Sequence, residues 1–590
     1  MKTRKEIEEK YKWDLTKLCA DEQDFYARLE KIKDYLPKFK EFEGKLNNKD
    51  SIWEYLCLDR KFTMEVEPLV LYSQLKGCEV LSDSKTAEMG EQISYILNEF
   101  SVETSFASSE LHKLPDSMLD EIIADKKFKD YDRTFYQIKR GKKHILSKAE
   151  EKLLSGMDFL SGFSNNMDML SDVDLQFGSI KDSNGKSYEL NQSSYSTLVR
   201  SDDRKLRKLA LTKLNKTFGK FINTFASNYI SEVKANCYFA KIRKYKSSLE
   251  SALFEEEIDK KVYDMLMQEV NKNLDVLFDY FEIKRKILGI NKMFVYDCMA
   301  DIGKMTTKTY TYEEAMEIIK KALAPLGEEY VDLLTRAQKE RWIDVMPNKD
   351  KASGAFQTGI YGFAPYVLTN FEGNLDSIFT LAHELGHAMH TYFSNKNQPM
   401  EKASYPIFSA EIASITNEML LINYLLSNAE SKDEKIALYN KLFDEVKGSI
   451  FRQTMFSEFE EKVHAMQEKG EPLTKDKLCQ LYYFLNKKYF GTVALVEELK
   501  YEWTRIPHFF SGFYVYKYAT GMICAISFAN RILSKEEGAL EDYFKFLSSG
   551  DSKPPIETLS LSGCNLNDKK TFEQCFDYLK TMLKNWQEIV

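Results

Sequence analysis

Twelve prolines in 590 residues leave long stretches of charged, aromatic and Leu/Ile residues uninterrupted, a balance that suits long helices. The nine cysteines (19, 57, 78, 237, 298, 479, 524, 564 and 575) are odd in number and show no CxxC spacing. That pattern excludes a disulfide framework and a Cys-based zinc site, and reads as reduced thiols in a cytoplasmic protein. No run approaches the roughly 18 apolar residues of a membrane span; the stretch from Gly521 to Ala529 is far too short. The first residues, MKTRKEIEEKYKWD, lack the apolar centre of a secretory signal. Acids and bases intermix around a net charge of −8 with no basic stripe, so neither nucleic acid nor a membrane is an expected partner. Internal repeats, low-complexity tracts and flexible linkers are absent too.

What is abundant is aromatic: 34 Tyr and 39 Phe argue for extensive packing, part of it lining a cavity. A chain this long exceeds one hydrophobic core, which stops growing near roughly 250–300 residues, so two or more lobes are expected. Apolar residues recur at three and four over 22–36 and 88–104, predicting amphipathic helices. The segment HKLPDSM (112–118) is a candidate junction, with Asp116 or Ser117 as a helix cap. Helical pattern resumes to about 170. Val173, Leu175 and Phe177 then alternate with polar residues before Asn184-Gly185, predicting a β-hairpin over 172–191. Helices return over 193–290. A second non-helical region holds two short strands, RWIDVM (341–346) and PYVLTN (365–370), around the loop KASGAFQTGIYGF (351–363); from 374 onward the pattern is helical again. The glycines of that loop, Gly354 and Gly359 among them, permit close approach of another chain.

The chemistry is concentrated in LAHELGH (381–387), an HExxH motif inside an apolar-periodic stretch from Asn374 to Phe393. Asn374 can cap that helix, and Asp376 places a negative charge in its first turn, with orientation of a ligand His as its lesser role. Residues four apart share a helical face, so His383 and His387 can bind one zinc ion. Glu384 then faces the space beside the metal and can take a proton from water. With seven His in the chain, chance yields this motif on the order of once in a hundred such sequences. Two solvated surface His would not sit among Ile378, Phe379, Leu381, Leu385, Met389 and Tyr392. A catalytic zinc takes three protein ligands and keeps one position open. The metzincin pattern fails, since His390 and Phe393 stand three and six residues after His387. A downstream Glu is the alternative, and spacing leaves Glu401, Glu411 and Glu418 open. His390 reads equally as a His-orienting residue or as core, and His112, His144 and His464 read as surface residues.

These motifs resemble the M3 family of zinc metallopeptidases, which includes thimet oligopeptidase, and within it oligoendopeptidase F. The resemblance covers nearly the whole chain, through YKWDL (11–15), GNLDSIFTLAHELGHAMH (373–390), FSAEIAS (408–414), FRQTMFSEFE (451–460) and IPHFFSGFYVYKYATG (506–521). It implies Glu411 as the third zinc ligand, with one Zn2+ per chain, and Glu418 as a residue orienting a His. It implies a mainly α fold of the helical zincin type, two lobes around a deep substrate channel lined by small β elements. Residues 1–114 would be an N-terminal helical region, 115–192 a helical segment plus hairpin, and 193–590 the catalytic domain. The loop carrying Gly354, Gly359 and Tyr361 would be the edge that meets the substrate backbone. His508 matches a family His that contacts the tetrahedral intermediate. For its tyrosine partners, ungapped counting puts Phe513 at one position; a one-residue shift brings in Tyr514 and keeps Tyr518 on the same helical face.

The function so implied is endopeptidase cleavage of short peptides, with Glu384 as general base and then general acid. Two rivals stand beside it: an end-trimming carboxypeptidase or dipeptidase on a related scaffold, and a peptide-binding homologue without catalysis.

Overall fold

A computed structural model of the chain describes residues 1–155, 162–304 and 308–590. Part of the helical run expected to reach 170, residues 156–161, lies outside the described residues. Helices dominate the rest. Contacts divide the chain into two compact units that interleave in sequence: Met1–Lys143, Thr307–Leu421 and Arg531–Gly563 form one, and His144–Thr306, Ile422–Asn530 and Cys564–Val590 the other.

The first unit begins with short amphipathic helices, among them Glu22–Ile32, followed by the long helix α1, Lys49–Glu79. Asn48 caps α1 by accepting from the Ser51 amide. Phe25, Phe39, Ile52, Leu69, Phe128 and Phe135 are buried together, and each such side chain contributes about 1.5–3 kcal/mol of burial. The helix expected from 88–104 spans Ser84–Thr104. The helix after the 112–118 junction starts at Asp116, but Pro115 is its N-cap and makes no side-chain cap bond. Asp116 and Ser117 therefore occupy the first turn instead of the capping position.

In the second unit the expected hairpin is present but shorter. Strands β1 (Ser179–Lys181) and β2 (Ser187–Glu189) pair antiparallel, Ile180 opposite Tyr188. Asp182 closes the turn by accepting from the Asn184 and Lys186 amides at 2.9 and 2.8 Å, and Gly185 takes φ +85°. The alternation at Val173, Leu175 and Phe177 is not a strand: Met169–Asp174 is a π-helical turn that leaves Val173 exposed and buries Leu175 and Phe177 after it. The aromatic load does both things expected of it here. Tyr280, Phe443 and Trp586 stack with centroids 5.7–5.9 Å apart, while Tyr195, Phe281, Phe451 and Phe490 help line a cavity of about 410 Å³.

The first unit also holds a three-stranded sheet. β3 (Ile343–Asp344) runs parallel to β5 (Tyr366–Leu368), and β4 (Phe356–Thr358) pairs antiparallel with β5 on its other side. The expected loop 351–363 thus contains a strand of its own, with Gln357 opposite Val367. Tyr366 and Leu368 belong to the same core as the N-terminal helices, so the sheet is anchored by burial. Charge anchors it as well. Asp344, fully buried, pairs with Arg4 and, at 2.7 Å, with Lys351. Lys351 also donates to the Thr369 and Met346 carbonyls at 2.6 and 2.8 Å. A buried carboxylate needs such partners.

Four further helices carry the motifs: α2 (Leu375–Asn397), α3 (Ile407–Asn428), α4 (Gln453–Glu468) and α5 (Tyr516–Leu533). Two histidines expected on the surface are in the core. His144 stacks on Tyr245 at 3.7 Å, and His464 lies against Phe513 with burial holding its pKa down near 4. All nine cysteines are free, and among the described residues no helix is long and apolar enough to cross a membrane.

Candidate active site

Helix α2 begins where the sequence pattern places it. Asn374 caps it by accepting from the Ser377 amide at 2.8 Å, and Asp376 is exposed in the first turn. Its apolar residues Ile378, Leu381, Ala382, Leu385, Ala388 and Met389 are all fully buried, which fixes the helix in rotation as well as position. His383 and His387 then share one face, a turn apart, with their Nε2 atoms 3.2 Å from each other.

Helix α3 brings the third group. Glu411 Oε2 lies 3.3 Å from His383 Nε2 and 3.5 Å from His387 Nε2. A tetrahedral ion with bonds of about 2.0–2.1 Å holds its donors about 3.3–3.4 Å apart, so this triangle has the dimensions of a zinc site. Among the described residues it is also the one cluster of His, Cys, Asp and Glu whose ligand atoms converge in this way. The donor chemistry, two imidazoles and one carboxylate, is that of a catalytic zinc with an open position. Glu411 is 39% exposed at its side chain against 15% for His387, so the triangle is open to solvent on the carboxylate side.

The two competing carboxylates have other partners. Glu401 accepts from Arg60 Nε at 2.5 Å. Glu418 forms a short hydrogen bond with His383 Nδ1, the arrangement that sets the tautomer of a ligand imidazole and leaves Nε2 for a metal. Burial opposes a charge on His383, but hydrogen bonds with Glu411 and then Glu418 outweigh it and raise its pKa to about 10. The same field that favours an imidazolium there favours a metal cation in place of the proton. Glu384 is 8% exposed. Burial raises its pKa, the two histidines pull it back, and Glu411 and Glu418 raise it further, which moves it toward the range of a useful general base.

What holds α2 against α3 was not read from the sequence. Gly386, inside the motif, faces the α3 backbone so closely that a Cβ there would sit 2.5 Å from Ser414 Cα and 2.8 Å from the Ala413 oxygen. Asn417 donates to the Ala382 carbonyl at 3.0 Å and accepts from the Tyr330 hydroxyl at 2.9 Å. Ser414 Oγ reaches Glu411 Oε2 at 3.2 Å. The glycine of HELGH (383–387) is a local signal for a close helix crossing; Asn417 carries none. His390 is packed and neutral, stacked on Tyr405 at 3.7 Å, with burial driving its pKa down to about 3.

The other expected residues fall into two places. Gly359 approaches α2, where a Cβ would meet Thr391 Cγ2 at 2.9 Å, and Tyr361 follows it beside a cleft against the same helix. Gly354 takes φ +78° and its carbonyl accepts from Asn370 at 2.9 Å. In the second unit His508, Tyr514 and Tyr518 cluster: Tyr518 Oη is 3.4 Å from His508 Nε2, and the two tyrosine rings are 5.5 Å apart. Burial lowers the His508 pKa. Tyr514 precedes α5 rather than sharing its face, and a turn at Phe513, with φ +55°, delivers it. Phe513 itself is buried, and its amide donates to Glu460 at 2.6 Å.

Residues 197–578 match the family described as Peptidase family M3, and residues 110–177 match that described as Oligopeptidase F. An oligoendopeptidase F homolog of Borreliella burgdorferi is 37% identical over 595 residues, all of both chains. Oligopeptidase PepF of Bacillus subtilis is 33% identical over all of this chain and 88% of its own. Among solved structures, a Chlamydophila abortus protein aligns over all of both chains with a TM-score of 0.96 and 33% identity. Oligoendopeptidase-F from Enterococcus faecium aligns over 96% of this chain and 99% of its own, with a TM-score of 0.72 and 30% identity.

Proposed function

The chain belongs to peptidase family M3 and is a metalloendopeptidase of oligopeptides; from that premise we propose that His383, His387 and Glu411 hold a single zinc ion and that Glu384 moves the proton. The observation that carries this reading is the donor triangle, with sides of 3.2, 3.3 and 3.5 Å. Zinc bound there supplies Lewis acidity toward water and toward the scissile carbonyl. The chain's own residues do the rest. Glu418 holds His383 in the tautomer that offers Nε2. Glu384, next to the first ligand and largely buried, accepts a proton from the attacking water and returns it to the departing amine. The family resemblance supports a substrate-contacting role for His508, Tyr514 and Tyr518, which lie together in the second unit.

We assign the catalytic domain to 193–590, where each of these residues lies; the match over 197–578 supports it. The nine free thiols support a reducing, cytoplasmic setting. Replacing Glu384 by Gln keeps the ligand set and removes the base, so the variant should bind zinc as the wild type does and lose nearly all turnover. Near-normal cleavage by zinc-loaded E384Q would sink the assignment. Product masses from a peptide labelled at an internal residue test the position of the cut: internal fragments are expected, and a ladder of end-trimmed products would establish the exopeptidase alternative.

A further inference from the structure

A cleft of about 370 Å³ opens beside α2, lined by Glu67, Gln357, Tyr361, Thr391, Asn395 and Tyr405 among others. It is roughly the space of a dozen waters, enough for one residue of a peptide. One of its walls is α2, the helix that carries His383 and His387. Thr391 follows His387 by one helical turn, and Tyr405, whose hydroxyl is 3.0 Å from Thr391 Oγ1, stacks on His390. Glu411 and Glu384 both act electrostatically on the Tyr405 phenol.

Two polar groups in this wall lack complements. Glu67 projects from the middle of α1, half-buried, with no ion pair and no hydrogen bond; burial is the one influence that raises its pKa. Among the described residues no Lys, Arg or His lines the cleft. Gln357 accepts from Thr391 through Oε1 at 3.3 Å, and its Nε2 is buried with no acceptor. A half-buried carboxylate and a buried amide donor without partners are costly, and a ligand that supplies both relieves both. Two contacts tie the segment after Gln357 to α2: Asn395 donates to the Ile360 carbonyl at 3.0 Å, and Gly359 packs directly on α2.

We propose that this cleft is a cation-accepting subsite of the peptidase, in which Glu67 receives a positively charged group of the peptide while Gln357 Nε2 donates to a neighbouring peptide carbonyl. A basic side chain and a free N-terminal ammonium both place a cation beside a carbonyl oxygen, so they share the chemistry that this wall recognises. The proposal rests on the metalloendopeptidase reading above and names a substrate class for it.

The test uses the zinc-loaded enzyme and a set of peptides with one common cleavable core. One pair differs by Lys against norleucine at each position flanking the core, a second by a free against an acetylated N-terminus, and a third peptide carries Glu in place of Lys. Wild type should cut the cationic member of at least one pair with the higher kcat/KM; the pair that shows it identifies side chain or N-terminus. In Glu67→Gln the cationic-to-neutral ratio should fall about 10–100-fold, the loss of one hydrogen bond to a charged group. Glu67→Asp should retain part of the ratio, and Glu67→Lys should shift preference to the Glu peptide. An active Glu67→Gln or Glu67→Lys enzyme with the wild-type ratio overturns the proposal while leaving the peptidase reading intact. Failure of the wild type to cut any peptide would overturn the peptidase reading and the subsite with it.

Discussion

Replacing Gly386 by Ala adds one methyl group at the crossing of α2 and α3, and its consequences can be worked from distances. The new Cβ would lie 2.5 Å from Ser414 Cα and 2.8 Å from the Ala413 oxygen. Ordinary carbon contacts are about 3.5–4.0 Å, so the helices must separate by about 1 Å. Both obstructing atoms are backbone, and neither can rotate away. Glu411 sits two residues before Ala413 and is hydrogen bonded by Ser414, so it moves with them. The donor triangle has sides of 3.2–3.5 Å, whereas a workable metal site tolerates deviations of about 0.2 Å. A shift of about 1 Å in one ligand is several times that tolerance. The overpacking itself costs about 1–3 kcal/mol of stability, small enough for a chain of this size to remain folded. The expected outcome is a helical protein whose zinc affinity falls by at least about 10–100-fold, the range seen when support of a ligand is lost. Zinc retained against chelators of graded strength measures the affinity, far-UV circular dichroism checks the helices, and peptide turnover follows the zinc content. A folded G386A protein that held zinc as tightly as the wild type would refute the idea that helix separation sets the position of Glu411.

Glu411→Ala removes a donor and Glu418→Ala removes the partner of a donor, so chelator competition should show a larger loss of zinc affinity for the first and about a 10–100-fold loss for the second; the reverse order would exchange their roles. Asn417→Ala leaves the buried Tyr330 hydroxyl without its partner and removes a second donor from the Ala382 carbonyl, and thermal unfolding should show a loss of about 1–3 kcal/mol; an unchanged midpoint would show that the bridge is dispensable. Burial raises the Glu460 pKa from 4.5 to about 8. The folded state therefore holds a proton that the unfolded chain releases, and stability fully present below pH 4.5 is lost as pH rises toward 8. Glu460→Gln keeps the acceptor for the Phe513 amide and removes the titration. Its unfolding midpoint should match the wild type near pH 4.5 and exceed it increasingly up to pH 8, and a pH-independent gap would contradict the assignment.

The features legible in the sequence were those whose physics is local. The spacing of His383 and His387, the Asn374 cap and the apolar stripe of α2 are all decided within one helix. The third ligand was not decided locally: spacing left Glu401, Glu411 and Glu418 open, and resemblance chose. The structure shows why spacing could not choose, since Glu401 is bound by Arg60, 341 residues away in the chain, and Glu418 by the far nitrogen of His383. The misread features fail for the same reason. His144 and His464 are buried by Tyr245 and Phe513, partners no window around either His contains. Strand β4 is three residues among glycines and exists because β5 pairs with it. The alternation at Val173, Leu175 and Phe177 matched a strand period, yet the pairing that makes a strand begins only at Ser179.

The same distinction separates reaction from selectivity in this enzyme. The groups proposed to move a proton or offer a ligand come from two helices that cross closely at Gly386. The cleft beside them draws Glu67 from α1, Gln357 and Tyr361 from the sheet region, and Tyr405 from the segment before α3. Tyr366 and Leu368 share a core with the N-terminal helices and so tie the sheet to α1. A substitution in that core that loosens the sheet should therefore weaken the cleft's discrimination between charged and neutral peptides before it weakens zinc binding. The ratio of kcat/KM values and the zinc content of one Leu368→Ala preparation measure both. Loss of zinc with the ratio preserved would show that the sheet supports the metal site directly and that the two functions are not separable in this way.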